Sequence, residues 1–167
     1  IWGYLLGEFG LKSMLDIGCG CGHAMRWMER YHVNCVGVDG FKPAIVQKVC
    51  SSPISLHDFR DGPFKSDNRF DLCWSAEFLE HIEEEFLPHV IQTIDLAGAA
   101  CVTHALPGQN GKNHVNCKDD SYWIERFTAY GWWFDAIRTE KVRLTDRWHA
   151  AWGRNTLMIF LNAKSND

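Results

Sequence analysis

The sequence has no apolar run of the roughly 20 residues that a membrane-spanning helix needs. It also has no secretory signal pattern, internal repeat, low-complexity stretch or linker rich in Gly, Ser and Pro. These absences favour one folded domain, 1–167, that does not bind a membrane. Because the chain begins at Ile1 rather than Met, we expect that an N-terminal segment has been cut away or is missing.

The chain has no excess of basic residues: 17 Lys and Arg face 21 Asp and Glu, for a net charge of −4. The composition therefore gives no sign of a basic surface that would bind a phosphate backbone, so we expect a small-molecule partner rather than a nucleic acid. The seven cysteines are odd in number, and most lie in apolar runs. They predict small buried side chains rather than a disulfide framework, and hence a reducing, cytoplasmic compartment.

Apolar runs typical of buried strands alternate along the chain with segments of helical character. This alternation predicts an α/β fold, a doubly wound and mostly parallel sheet with helices on both faces. Ligands of such folds bind at the carboxyl ends of the strands, so we expect the functional residues in the loops that follow them. The predicted strands are 13–17, 34–39, 54–59, 70–75, 99–106, 132–136 and 155–162, and the predicted helices are 24–31, one that starts near Pro43, 83–96, one capped by Asp119 or Asp120 and ending near Tyr130, and 137–152.

The first predicted strand ends in a loop with glycine at alternate positions, Asp16-Ile17-Gly18-Cys19-Gly20-Cys21-Gly22. Alternate glycines let the backbone turn sharply and let a ligand approach without an intervening Cβ. The carboxylate of Asp16 would repel a pyrophosphate but attract the ammonium group of an amino acid. The spacing G-x-G-x-G also departs from the dinucleotide fingerprint G-x-G-x-x-G. Both features of the loop count against a nicotinamide dinucleotide as the ligand.

Acidic residues end the next two predicted strands. Asp39 follows Asp16 by 23 residues, and a carboxylate at that strand end can accept hydrogen bonds from ribose hydroxyls. Asp58 would accept from an adenine amino group while Phe59 packs on the ring. The alternatives are an exposed turn aspartate at position 39 and a turn carboxylate beside a core phenylalanine at 58 and 59.

Four segments in this order resemble the class I S-adenosylmethionine-dependent methyltransferases. LDIGCGCG (15–22) resembles the glycine loop of that family, GVDG (37–40) its ribose-binding strand end and HDF (57–59) its adenine-binding strand end. FDLCWSAEFLEHI (70–82) resembles its strand-four segment. The resemblance covers nearly the whole chain, and Cys21 and His23 depart from it.

The resemblance implies a seven-stranded sheet whose last strand is antiparallel, S-adenosyl-L-methionine as cofactor, and methyl transfer to an oxygen, nitrogen or carbon of a small acceptor. Two alternatives remain open, a nicotinamide-dependent oxidoreductase on the same fold and a non-catalytic cofactor-binding scaffold. The residues implied to hold the cofactor are Asp16, Gly18, Cys19, Gly20, Gly22, Asp39, Gly40, Asp58, Phe59, Ser75, Ala76 and Glu77.

Two histidines are the candidates on the acceptor side. His81 follows the fourth predicted strand and is the first candidate for a general base, since imidazole titrates near neutrality; the alternative is that it caps or packs against the next helix. His114 and Asn116 lie in a loop over 106–117 that is rich in glycine and amides, and this loop is expected to fold over the acceptor as a lid. A solvated surface loop is the alternative.

We predict no metal site. Cys19, Cys21 and His23 lack the usual C-x-x-C spacing, while a set of His104, His114 and Cys117 stays open as the alternative. Tryptophans concentrate late in the chain, where they predict core packing. An aromatic acceptor pocket or a homodimer interface remain the other interpretations of Trp123, Trp132, Trp133, Trp148 and Trp152.

Overall fold

The computed structural model describes residues 1–145 and 155–166, and within them seven strands form one sheet. The strand order is β3-β2-β1-β4-β5-β7-β6, and β1 pairs in parallel with both β2 and β4. Strand β7 runs antiparallel to β5 and β6, as the resemblance implies. The strands are β1 (Ser13–Ile17), β2 (Asn34–Asp39), β3 (Ile54–Leu56), β4 (Phe70–Ser75), β5 (Ala97–Val102), β6 (Trp132–Phe134) and β7 (Met158–Asn162).

Helices cover both faces of this sheet, which confirms the predicted doubly wound class. Side chains alternate along each strand, so Leu15 packs on one face and Met14 on the other. Buried residues of α4 and α5 pack on the first face, and those of α1, α2 and α6 pack on the second. The helices are α1 (Trp2–Phe9), α2 (His23–Glu29), α3 (Lys42–Val46), α4 (Leu87–Ile94), α5 (Asp120–Ala129) and α6 (Ala136–Thr145).

Several element bounds differ from the predicted ones. The third strand stops at Leu56, because Asp58 caps a short 3-10 helix, Phe59–Asp61, and turns the chain out of the sheet. The predicted helix 83–96 begins as α4 only at Leu87, since proline at position 88 is tolerated in a first turn alone. The last part of the predicted helix 137–152, residues 146–152, lies outside the part of the chain that the structure describes. Helix α1 was not predicted; its two glycines weaken the helical signal.

The predicted cap of α5 is confirmed at the first of its two candidates. The Asp119 carboxylate accepts a hydrogen bond from the Tyr122 amide at 3.0 Å. All seven cysteines are free, and four of them are buried. Trp123 and Trp132 are core residues, whereas Trp133 is 70% exposed and Trp148 and Trp152 lie outside the described residues. Among the described helices, none has the length and apolar content to span a bilayer.

Candidate functional site

The glycine loop after β1 adopts backbone conformations that glycine favours. Gly18 has φ 70° and Gly22 has φ 85°. A Cβ on Gly18 would lie 2.4 Å from a ring carbon of Phe78, and one on Gly22 would lie 2.5 Å from the sulfur of Cys50. Gly20, with φ 54°, instead faces space in which no atom of the described chain lies within 4 Å of its Cβ position. The loop is therefore closely packed on its flanks and open to a ligand at its centre.

Asp39 links this loop to the end of β2. One oxygen of its carboxylate accepts from the Gly20 amide at 2.8 Å, and the other accepts from the Phe41 amide at 2.7 Å. Gly40 follows, and a Cβ there would lie 3.3 Å from the His57 carbonyl oxygen. The structure thus brings two predicted cofactor-binding segments into direct contact, and the link joins the glycine loop to the predicted ribose-binding strand end.

Asp16 is only 3% exposed, and its carboxylate accepts no hydrogen bond from the described residues. Burial and the nearby charge of Asp39 raise the pKa of Asp16 to about 8. A charged group buried without a partner is costly, so this position favours a cation beside it. The buried carboxylate lies at the base of the open glycine loop.

The two residues predicted to bind adenine have different surroundings: Asp58 forms an ion pair, and Phe59 packs in the core. Asp58 accepts from the Arg60 amide and pairs with its guanidinium, and these bonds lower the pKa of Asp58 to about 2. Phe59 is buried in the core and meets Phe78 edge-on with ring centroids 5.8 Å apart. Both residues border a cavity of about 530 Å³, whose other walls include Gly40, His81 and Asn113.

The end of β4 holds the next three predicted residues. Ser75 is fully buried, and no described group bonds its hydroxyl. Ala76 is half-buried beside it. Glu77 has φ 54°, an unusual conformation for a residue with a side chain, and its amide donates to the Thr103 hydroxyl at 2.7 Å. That hydroxyl donates back to the Glu77 carboxylate at 3.0 Å, so Thr103 stabilises the strained turn.

The second predicted loop is attached to a 3-10 helix, Leu79–His81, that follows β4. The amides of Val115 and Asn116 both donate to the Glu80 carbonyl oxygen, at 2.8 and 3.0 Å. Nδ1 of His81 donates to the Asn113 carbonyl oxygen, 3.1 Å away. The rings of His81 and His114 lie 5.0 Å apart at a steep angle. The structure therefore brings together both predicted acceptor-side histidines.

Other residues of this loop take up different positions. Asn116 is 2% exposed, so it lies beneath the loop instead of facing the open cavity, whereas Val115 lines that cavity. The loop is docked through its second half, while residues 107–113 are exposed. The loop expected to act as a lid is thus anchored at Val115 and Asn116, whereas residues 107–113 match the alternative of a solvated surface loop.

The metal sets considered from sequence do not assemble. His114 and Cys117 are in contact, with 3.6 Å between Nδ1 and Sγ, but buried His104 bonds Asp120 through Nε2 at 2.9 Å and does not join them in a group of possible ligands. The Cys19 side chain packs beneath the glycine loop, where a Cβ on Gly37 would lie 2.8 Å from its sulfur. In residues 1–145 and 155–166, one group of possible ligands has all its donor atoms within 4.8 Å of one another, Glu80, His81 and His114.

Sequence reasoning missed Phe78, Glu80 and Asn113. Phe78 covers Gly18, and Asn113 borders the cavity. Glu80 is fully buried, which raises the pKa of its carboxyl group, and neither carboxylate oxygen has a partner among the described residues. A signal was present, since two glutamates and a histidine fall within five residues, 77–81.

Comparison with known proteins gives this geometry a family context. Residues 15–95 match the family model described as "Methyltransferase domain". A tocopherol O-methyltransferase of Arabidopsis thaliana is 29% identical over 89 residues, 47% of this chain and 25% of that enzyme. The match thus spans about a quarter of the length of that curated relative.

Solved structures share the fold over most of the chain. A TehB-like S-adenosylmethionine-dependent methyltransferase from Corynebacterium glutamicum has a TM-score of 0.73 at 17% identity, covering 96% of this chain and 87% of that one. A magnesium protoporphyrin IX methyltransferase from Synechocystis, solved with bound S-adenosylmethionine, has a TM-score of 0.66 at 13% identity, covering 95% and 74%. At these identities the likeness establishes the fold.

Proposed function

Because residues 15–95 belong to the class I S-adenosylmethionine-dependent methyltransferases, we propose that this chain binds S-adenosylmethionine and transfers its methyl group to a small acceptor. One observation carries the proposal: the buried Asp16 carboxylate has no partner in the described chain and lies at the base of an open glycine loop. The ammonium group of a methionine portion would supply the missing cation. A dinucleotide pyrophosphate would be repelled there.

The remaining cofactor contacts follow the strand ends. Each Asp39 oxygen accepts one backbone amide but has a second lone pair, so Asp39 can still accept a ribose hydroxyl. Asp58 and Phe59 border the cavity beside Gly40, which supports an adenine site there. Gly18, Gly20 and Gly22 shape the loop, and the backbone of Cys19 belongs to it. Ser75, Ala76 and Glu77 are proposed to border the cofactor from β4.

The chemistry requires little from the protein beyond position. S-adenosylmethionine supplies the methyl group as an already activated electrophile. The chain must hold the acceptor in line with that methyl group and exclude water. His81 and His114 are the proposed catalytic side chains, because His81 borders the cavity and the two rings are adjacent. An oxygen or nitrogen acceptor that loses a proton would pass it to an imidazole.

The acceptor is proposed to be a small molecule. The cavity of about 530 Å³ falls within the usual range for small-molecule sites, and its side at His81 and Asn113 is the part proposed for the acceptor, beside the adenine site at Asp58 and Phe59. The Arabidopsis relative acts, by its name, on a tocopherol oxygen, which supports an oxygen acceptor without excluding nitrogen or carbon. The net charge of −4 does not favour a nucleic acid as partner. None of the described helices could span a membrane, so nothing in them favours a membrane as partner.

Three broader properties are also proposed. Residues 1–167 form one domain, which the single sheet over the described residues supports. A cytoplasmic location is supported by the seven free cysteines. A homodimer is supported by exposed apolar side chains near the end of the chain, Trp133 and Ile137.

Methyl transfer from labelled S-adenosylmethionine to a pool of small metabolites tests the enzymatic proposal. We expect a labelled product that disappears when Asp16 is replaced by Asn. Tight cofactor binding without transfer to any acceptor would instead favour the scaffold alternative. Hydride transfer from a reduced nicotinamide cofactor, with no methyl transfer, would favour the oxidoreductase.

A further inference from the structure

Three side chains outside the proposed cofactor contacts converge at the edge of the cavity. They are Glu80, His81 and His114, whose possible ligand atoms all lie within 4.8 Å of one another. Two ligands on opposite sides of one ion are about 4.2 Å apart, so the group is close to the size of a coordination sphere. We propose that Glu80, His81 and His114 form a binding site for a divalent transition-metal ion.

Glu80 gives the first argument for this site. Its side chain is fully buried, and both carboxylate oxygens lack a partner among the described residues. Its backbone carbonyl is used instead, by the amides of Val115 and Asn116. A buried carboxylate without hydrogen bonds is strongly disfavoured. A metal ion would provide the partner that the surrounding chain does not.

The two imidazoles give the second argument. Nδ1 of His81 lies 3.1 Å from the Asn113 carbonyl oxygen, and Nδ1 of His114 lies 3.2 Å from the Gln109 carbonyl oxygen. A carbonyl only accepts, so each Nδ1 carries the proton and each Nε2 keeps a free lone pair. Metal-binding histidines are typically oriented by such a second bond.

The local backbone holds these side chains in place. The two amide bonds to the Glu80 carbonyl fix the loop that carries His114 against the 3-10 helix that carries the other two. Gly111 leaves room for the His114 ring, since a Cβ there would lie 2.1 Å from its Nε2. The convergence therefore comes from two chain segments more than 30 residues apart.

The donor set defines the class of ion. Two imidazoles and one carboxylate suit borderline cations such as Zn²⁺, Fe²⁺, Co²⁺ and Mn²⁺ better than Mg²⁺ or Ca²⁺, which prefer oxygen alone. Three protein ligands leave coordination positions open. Since His81 borders the cavity, we infer that an acceptor oxygen occupies one of them, a role that rests on the proposed function. His81 would then be a metal ligand and not the general base.

The site is tested on the untagged full chain after treatment with EDTA, with Co²⁺ as the probe. We expect one equivalent of Co²⁺ to bind and to show visible absorption bands of a nitrogen- and oxygen-ligated ion. His81→Ala, His114→Ala and Glu80→Gln should each weaken binding by about tenfold or more, because loss of even an orienting partner costs about 10–100-fold. His23→Ala is the matched control, since it removes an exposed histidine outside the group.

Absent binding, or binding equally weakened by His23→Ala, would overturn the site. Unchanged affinity in the His81 and His114 variants would overturn it as well. His81 is exposed, so its variant is expected to fold, and circular dichroism checks this. Titration with S-adenosylhomocysteine separates the two proposals: retained binding without Co²⁺ binding refutes the metal site alone, and the reverse pattern refutes the cofactor assignment alone.

Discussion

Two loops at the same edge of the sheet are built in different ways. The glycine loop, residues 16–22, takes its shape from its own backbone, from close packing against Phe78 and from the carboxylate of Asp39. The loop over 106–117 depends on a distant segment, because two of its amides bond the Glu80 carbonyl. The family match covers the first loop and ends before the second. The part of the chain that matches the family model thus holds the loop proposed to bind the cofactor, and the loop proposed to face the acceptor lies beyond that match.

The largest expected effect comes from Asp16 in the first loop. Burial and Asp39 raise its pKa from 3.8 to about 8, so the folded state holds a proton that the unfolded state releases. That contribution to stability is complete below pH 3.8 and is lost as pH rises through about 8. The free energy of unfolding should fall by up to about 1.4 kcal/mol per pH unit within this window.

Thermal unfolding from pH 4 to 9 measures this fall, and Asp16→Asn should reduce the slope. Some slope remains, because burial also raises the pKa of Glu80. S-adenosylhomocysteine should stabilise the wild type at pH 8 and the variant much less. Equal slopes in the two proteins would show that Asp16 is not the buried ionising group.

The second prediction compares one glycine from each loop. Gly18 and Gly108 both have positive φ, but only Gly18 has a close neighbour, Phe78. Replacement of Gly18 by Ala should cost about 2–5 kcal/mol of unfolding free energy, from backbone strain of about 1–2 and overpacking of about 1–3 kcal/mol. Replacement of Gly108 should cost about 1–2 kcal/mol, from strain alone. Denaturant unfolding of both variants checks the ranking, and equal losses would contradict the packing role of Gly18.

The third prediction is that a change beside the second loop affects turnover and leaves cofactor binding intact. His81→Ala should lower turnover by about 100-fold or more, whether His81 is a base or a metal ligand. Cofactor affinity should stay nearly unchanged, because His81 contacts the second loop at Asn113. Steady-state kinetics together with a binding titration measures both. If affinity fell and turnover did not, His81 would belong to the cofactor side.

The smallest effect is expected for Asp39. Its replacement by Ala removes a charged acceptor from the ribose site and should weaken binding of S-adenosylhomocysteine by about 2 kcal/mol. It should also loosen the glycine loop, since the Gly20 amide loses its partner. A matched control is Asp61→Ala, an exposed carboxylate outside the site. An unchanged dissociation constant would contradict the ribose assignment.

The same difference explains what the sequence could predict. Alternate glycines and strand-end aspartates are local patterns, so the glycine loop and Asp39 could be predicted, and the resemblance implied the seven strands and the antiparallel last strand. The Glu80 carbonyl oxygen is bonded by amides 35 and 36 residues further along the chain, and no local pattern indicates such a contact. Phe78 over Gly18 is likewise a tertiary contact. Helix α1 was not predicted because Gly3 and Gly7 interrupt the helical spacing of its apolar residues.

We propose that Asp16 recognises the ammonium group of S-adenosylmethionine. Calorimetric titration with S-adenosylhomocysteine, with its analogue lacking the α-amino group, and with NAD tests it most directly. We expect one-to-one binding of S-adenosylhomocysteine, much weaker binding of the analogue and none of NAD. Equal affinity for the first two ligands, or binding of NAD alone, would contradict it.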